Sequence, residues 1–179
     1  HPGDGDSLLA IYGVKSNSSL LTLASGGGGV GVVGDGWVAG TRWFNPIMPT
    51  SSTQQNVSLG LDYKDFRQNL STPISFTKFV AGYGASHAGE VNAFNLNVEA
   101  DLGVRALGNE VKEFARQRVF AEPNFLALIV NGRVQRRLPA DATLALSFAG
   151  QLSSGPLVPY EQFSMGGSAS VRGYLETQV

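Results

Sequence analysis

Residues 94–102 place Phe94, Leu96, Val98, Ala100 and Leu102 in strict alternation with Asn95, Asn97, Glu99 and Asp101. Successive side chains of a strand point to opposite faces, so this stretch is a strand with one wholly apolar and one wholly polar face. The chain around it must supply two environments, one polar and one not. Residues 57–64 repeat the pattern: Val57, Leu59, Leu61 and Tyr63 oppose Ser58, Gly60, Asp62 and Lys64. So does the stretch after Asp141, where Leu144, Leu146, Phe148 and Leu152 alternate with Thr143, Ala145, Ser147, Ala149 and Gln151. Alternation fixes the strands but not which face points inward, because a soluble sandwich also has a polar outer face.

The remaining segments fit an all-β chain. Leu8, Ala10, Tyr12 and Val14 give a first strand over 6–14, Ser16–Ser19 reads as a turn, and 20–24 as a second strand. Residues 37–44 form a third, ended by the proline- and serine-rich 45–53. In 74–86, Ile74, Phe76 and Val80 oppose Phe79, Ala81 and Tyr83, so both faces are apolar and the register stays open. With 125–135 the expected count is eight strands, most of them able to reach the roughly 9 to 11 residues that a tilted strand needs to cross a bilayer. The charged stretch 109–118 holds Val111, Phe114 and Ala115 at helical spacing, which suits a short helix.

Composition narrows the function. Charged residues make up 15% of the 179 residues and hydrophobic ones 42%, against about 25% charged in ordinary soluble domains. A lipid-facing or deeply buried surface would produce that shortage, and the aromatics Trp37, Trp43, Tyr63, Phe66, Tyr83 and Phe125 near strand ends separately favour a membrane. No apolar run approaches the ~18 residues of a transmembrane helix. A net charge of -1 gives no basic field for nucleic acid. Cysteine is absent, and His1 and His87 read as solvated loop residues with no neighbouring ligand, so no metal site is expected. Gly29, Gly31 and Gly34 match a GxGxxG spacing, but the strand that follows offers no helix N-terminus to a phosphate. Ser164 and Ser170 do not form a nucleophile elbow. Asp62 and Asp65, like Glu99 and Asp101, read as parts of one polar wall rather than as an acid and base. No catalytic constellation emerges, so the expectation is a protein that is not an enzyme and takes no cofactor.

The run 159–174 carries the most specific signal. Gly166, Gly167 and Gly173 free the backbone around Ser170-Val171-Arg172-Gly173-Tyr174, so the loop presents Arg172 at a set point, suited to docking on a carboxylate. Composition alone equally allows a solvated arginine on a surface turn. Glu161-Gln162-Phe163, Gly166-Gly167 and Val171-Arg172-Gly173-Tyr174 closely resemble the signature of two-partner secretion transporters, the haemolysin-activator type of outer-membrane β-barrel within the barrel-insertase superfamily. In the same order, Gly34-Asp35-Gly36, Gly40-Thr41-Arg42-Trp43, 59–66, Thr72-Pro73-Ile74, 113–118 and 150–153 resemble that family.

The resemblance implies an antiparallel transmembrane β-barrel fragment, about half of a sixteen-stranded barrel. It implies export of a large unfolded exoprotein across a Gram-negative outer membrane, with the exoprotein and the lipid bilayer as partners. Polypeptide-transport-associated domains would lie upstream, and 109–118 would lead into the next strand. The loop at 153–179 would turn into the lumen, with Gly166, Gly167, Val171, Arg172, Gly173 and Tyr174 as its functional residues and an acidic partner beyond Val179. Two alternatives share the residues: a barrel-assembly insertase relative, and a soluble β module whose apolar faces close around a small ligand.

Overall fold

The structure, a computed structural model, describes residues 7–23, 30–47, 50–66, 73–107, 109–140 and 142–163. They form one antiparallel sheet: β1 (Leu8–Leu23), β2 (Val30–Ile47), β3 (Thr53–Phe66), β4 (Ile74–Ala88), β5 (Asn92–Gly103), β6 (Phe125–Arg137) and β7 (Thr143–Ser153). Each strand pairs with its neighbours in sequence, in the order β1 to β7. Strands of 11 to 18 residues exceed those of ordinary soluble domains, whose mode is about 5–6.

Seven strands, not eight, appear among the described residues. The first two expected strands are one, since β1 runs through Ser16–Ser19 and stays paired with β2, absorbing a register shift between Ser18 and Leu21. Continuous pairing along β2 overrides the turn preference of Ser and Asn. β2 likewise carries on through Pro46 to Ile47, into the expected turn. Gly31 and Gly34 lie inside β2, which no helix follows, while Gly29 is outside the described residues.

The two faces are inverted relative to a soluble sheet. On the outer face Leu59, Leu61, Phe79, Leu102, Leu144 and Leu146 are exposed, and Trp37, Trp43 and Tyr63 lie among them. On the inner face Arg42, Asp62, Lys64, Lys78 and Asp101 are buried. A soluble module whose alternating apolar residues turn around a ligand does not match this arrangement, because the leucines of β3, β5 and β7 point out. The alternations of 57–64 and 94–102 fall as expected, and pairing with β3 settles β4, whose Ile74, Phe76, Lys78 and Val80 face inward. Phe66 and Phe125 are inner-face core residues rather than members of an outer aromatic belt. His87 belongs to β4 and not to a loop; its Nδ1 lies 2.9 Å from the Thr53 hydroxyl and its ring 5.8 Å from that of Phe94.

The connections differ at the two ends of the sheet. Residues 48–52, 89–91 and 138–142 close one end, and the much longer 104–124 lies at the other. That long connection contains the helix α1 (Val111–Gln117), so the spacing of Val111, Phe114 and Ala115 forecast the fold correctly and the lead into a strand is corrected. β5 stops where Gly103 meets Lys78, which leaves the first residues of β4 without a strand on that side. Asn109 covers this edge: its Oδ1 accepts from Thr77 N at 2.7 Å and its Nδ2 donates to Thr77 O at 2.9 Å. Ser75 N donates to Glu113 Oε2 at 3.2 Å. A bare strand edge would otherwise expose backbone groups to foreign pairing.

At this end a compact apolar core fills the inner face. Val38, Phe66, Ile74 and Phe76 meet Phe114 and Ala121 from the 104–124 connection, and Leu157, Val158 and Tyr160 from the segment after β7. Phe76 and Phe114 pack edge to face at 5.6 Å, while Phe66 and Tyr160 stack at 4.2 Å with 9° between planes.

Candidate functional site

Beside that core the inner face holds two ion clusters, both built by side chains that alternate along β2 to β5. In the first, Arg42 sits between two carboxylates, 3.2 Å from Asp62 Oδ2 and 3.2 Å from Glu99 Oε2. The Tyr12 hydroxyl donates to Asp62 Oδ1. Glycine makes the room. A Cβ at Gly60 would stand 2.7 Å from Arg42 Nε, and one at Gly40 2.7 Å from both the Tyr12 hydroxyl and Asp62 Oδ1. Such distances are not found around real Cβ atoms, so Gly40 and Gly60 are what allow long polar side chains to lie flat across the sheet.

The second cluster joins the sheet to the chain beyond it. After β7 the chain turns back over the inner face and forms a 3₁₀ turn at Pro159–Glu161. There Glu161 Oε1 meets Lys64 Nζ at 2.5 Å and Glu161 Oε2 meets Lys78 Nζ at 2.7 Å. Lys78 also reaches Asp101 Oδ2 at 2.5 Å, while Asp101 Oδ1 has no hydrogen-bond partner. Glu161, Lys64, Lys78 and Asp101 are all at least nine-tenths buried. Removing an ion from water costs several kcal/mol, and here each charge is compensated by the opposite one in short contacts. Burial works against the Glu161 charge, but Lys64 and Lys78 outweigh it and hold the carboxyl below the usual carboxylate range.

A second tie comes from β7. Gln151 Nε2 donates to Glu161 O at 2.7 Å and Gln151 Oε1 accepts from Phe163 N at 2.7 Å. Arg118 Nη1 donates to Leu157 O at 3.1 Å, joining this segment to the end of α1. Residues 154–163 are thus pinned to β3, β4, β7 and the 104–124 connection at once.

The residues expected to work in the loop, Gly166, Gly167, Val171, Arg172, Gly173 and Tyr174, lie outside the described residues. Ser164, Ser170 and His1 lie there too. Of the expected polar wall, Asp62, Glu99 and Asp101 do share the inner face. Asp65 does not: an odd number of positions separates it from Asp62, so it turns outward, where Trp37 Nε1 donates to its Oδ2 at 3.2 Å. Sequence reasoning missed the roles of Lys64, Lys78, Glu161, Gln151 and Asn109. Lys64 and Lys78 carried a signal all the same, as charges within strands on the face opposite exposed apolar residues.

Comparison with protein-family models matches residues 34–179 to the haemolysin secretion/activation protein family ShlB/FhaC/HecB. The searches of curated proteins and of solved structures returned no match. The matched stretch runs from β2 through the ion clusters to the arginine loop, far more than half of the chain, and the antiparallel sheet is compatible with a partial barrel of that family. The chain belongs to the haemolysin secretion/activation family, the two-partner secretion proteins that its arginine motif resembles.

Proposed function

We propose that the sheet is part of an outer-membrane pore that exports a large unfolded exoprotein in two-partner secretion, without ATP. The observation that carries this reading is the inversion of the faces: exposed leucines and tryptophans outside, buried Arg42, Lys64, Lys78, Asp62 and Asp101 inside. Transmembrane barrels alternate in this way, apolar toward lipid and polar toward the lumen. No helix among the described residues is long and apolar enough to cross a membrane. The short β2–β3, β4–β5 and β6–β7 connections then lie at the periplasmic end, and the 104–124 connection lies at the outer-surface end, from which the segment after β7 turns back inside.

In this reading the loop through Val171-Arg172-Gly173-Tyr174 turns into the lumen, and Arg172 docks on the inner wall. Glu161, at the root of that loop, is already seated there, which supports an inward course. An arginine anchor made of charge-assisted hydrogen bonds is worth about 1.5–3 kcal/mol. Arg172→Ala in the full-length protein is expected to leave the barrel folded in the membrane, scored by heat-modifiable mobility, and to lower the amount of exoprotein released. Undiminished export through a folded Arg172→Ala barrel would refute the role given to the loop.

A further inference from the structure

The segment 154–163 also makes apolar contact with the inner face. Leu157 and Val158 are buried and Tyr160 stacks on Phe66. Apolar contact is non-directional and tolerates sliding along a surface. A carboxylate buried between two ammonium groups does not: Glu161 must reach Lys64 on β3 and Lys78 on β4 together, and one placement satisfies both at 2.5 and 2.7 Å. Burying three charges where an apolar side chain would pack at less cost is a device for fixing position rather than for adding stability. Gln151 fixes the same point from the other side, gripping the backbone on either side of Gln162. The direction in which the chain leaves Phe163 is thereby set.

We infer that Glu161 and Gln151 are positioning residues that anchor the root of the arginine loop to the inner wall through Lys64, Lys78 and the Glu161 and Phe163 backbone. The inference rests on the inward-loop reading above and deepens it. From Phe163 to Arg172 a fully extended chain spans at most about 30 Å, so on the inward-loop reading a fixed root limits which part of the inner wall Arg172 can reach. Without the anchor the free tether starts nearer the end of β7 at Ser153, about ten residues earlier, and that longer tether lets the loop leave the lumen toward the outer surface.

The stretch contains no cysteine, so Ser168→Cys in the full-length protein reports where the loop lies. A membrane-impermeant maleimide is applied to intact cells, with exoprotein release measured in parallel. Two variants remove the anchor by different routes. Glu161→Gln with Lys64→Met deletes one charge of each sign and leaves Lys78 with Asp101, so no buried ion loses all its partners. Gln151→Ala touches no charge.

In the parent, Ser168→Cys is expected to be protected. In both variants its labelling rate rises at least tenfold and export falls, while heat-modifiable mobility stays that of a folded barrel. Labelling and export unchanged from the parent in folded variants would overturn the anchor while leaving the inward loop intact. Rapid labelling in the parent itself would overturn the inward loop, and the anchor with it. Should the double variant fail to fold, Gln151→Ala decides alone, by the same two readouts.

Discussion

Placing a charge on the outer face tests the inversion directly. Leu59 points outward from β3, between Trp43 on β2 and Ala81 on β4, and is 55% exposed. Tyr63, farther along the same face, packs against Trp37 with ring centroids 5.0 Å apart, and in the proposed pore this pair would mark one interface. At about 3.3 Å per residue Leu59 lies ~13 Å from Tyr63 along the strand. A tilt of about 40° reduces this to ~10 Å of depth, near the middle of an apolar band ~25 Å tall. An arginine there costs about 2–4 kcal/mol, a drop of roughly 30- to 700-fold in the folding equilibrium. On a water-facing surface the same substitution stays within about 0.5 kcal/mol. Urea titration of the full-length protein folded into phosphatidylcholine vesicles measures the difference. Gln54→Arg, on the exposed part of the inner face of the same strand, is the control and is expected to stay within ~0.5 kcal/mol. A Leu59→Arg protein as stable as its parent would refute the lipid-facing assignment of the outer surface.

Two further outcomes follow from individual contacts. Asn109→Ala strips both hydrogen bonds from the backbone of Thr77, with an expected loss of about 1–3 kcal/mol. Hydrogen exchange at the Thr77 amide should speed up while that of Leu61, inside the β2–β3–β4 pairing, does not; equal change at both would point to general loosening instead. The carboxyl of Glu161 is held low by Lys64 and Lys78 against the opposing effect of burial, so its stabilisation is present above the unfolded value of about 4.3 and disappears as the pH falls through the lower folded value. The difference in urea midpoint between parent and the Glu161→Gln/Lys64→Met double variant, which leaves no buried lysine without a carboxylate, should therefore stay constant from pH 7 to about pH 5 and shrink only below ~4.3. A gap that closes between pH 7 and 5 would contradict the direction assigned to Glu161.

What the sequence revealed follows how local the information is. β3 and β5 are legible because each lies between two unlike environments, so Leu59 and Asp62, or Leu102 and Asp101, sort themselves by parity. β1 is misread because Ser16–Ser19 has the composition of a turn, whereas its pairing with β2 is decided by residues far along the chain. The helix α1 is visible as spacing, but its purpose is not: Asn109 matters only because β5 stops opposite Lys78 and bares the edge of β4. Glu161 shows the limit most clearly. Its cations lie 97 and 83 residues away, and nothing near Glu161 in sequence distinguishes a buried carboxylate from a solvated one. The family motif drew attention to Arg172 and passed over the glutamate that opens the same motif.

The strand order bears on how such a sheet comes to exist at all. Each strand finds its partner next to it in sequence, so pairing can proceed hairpin by hairpin, and the ends to be joined across the short β4–β5 and β6–β7 connections are already close. Closing a longer link costs entropy that rises only with the logarithm of its length, yet it must be met before the new pairing returns anything. The link 104–124 is where that delay falls, between β5 and β6. Asn109 and Glu113, gripping Thr77 and Ser75, shorten it by tying its middle to a strand already laid down. A connection of this length is thus expected to delay the addition of β6 and β7 relative to strands joined by short turns.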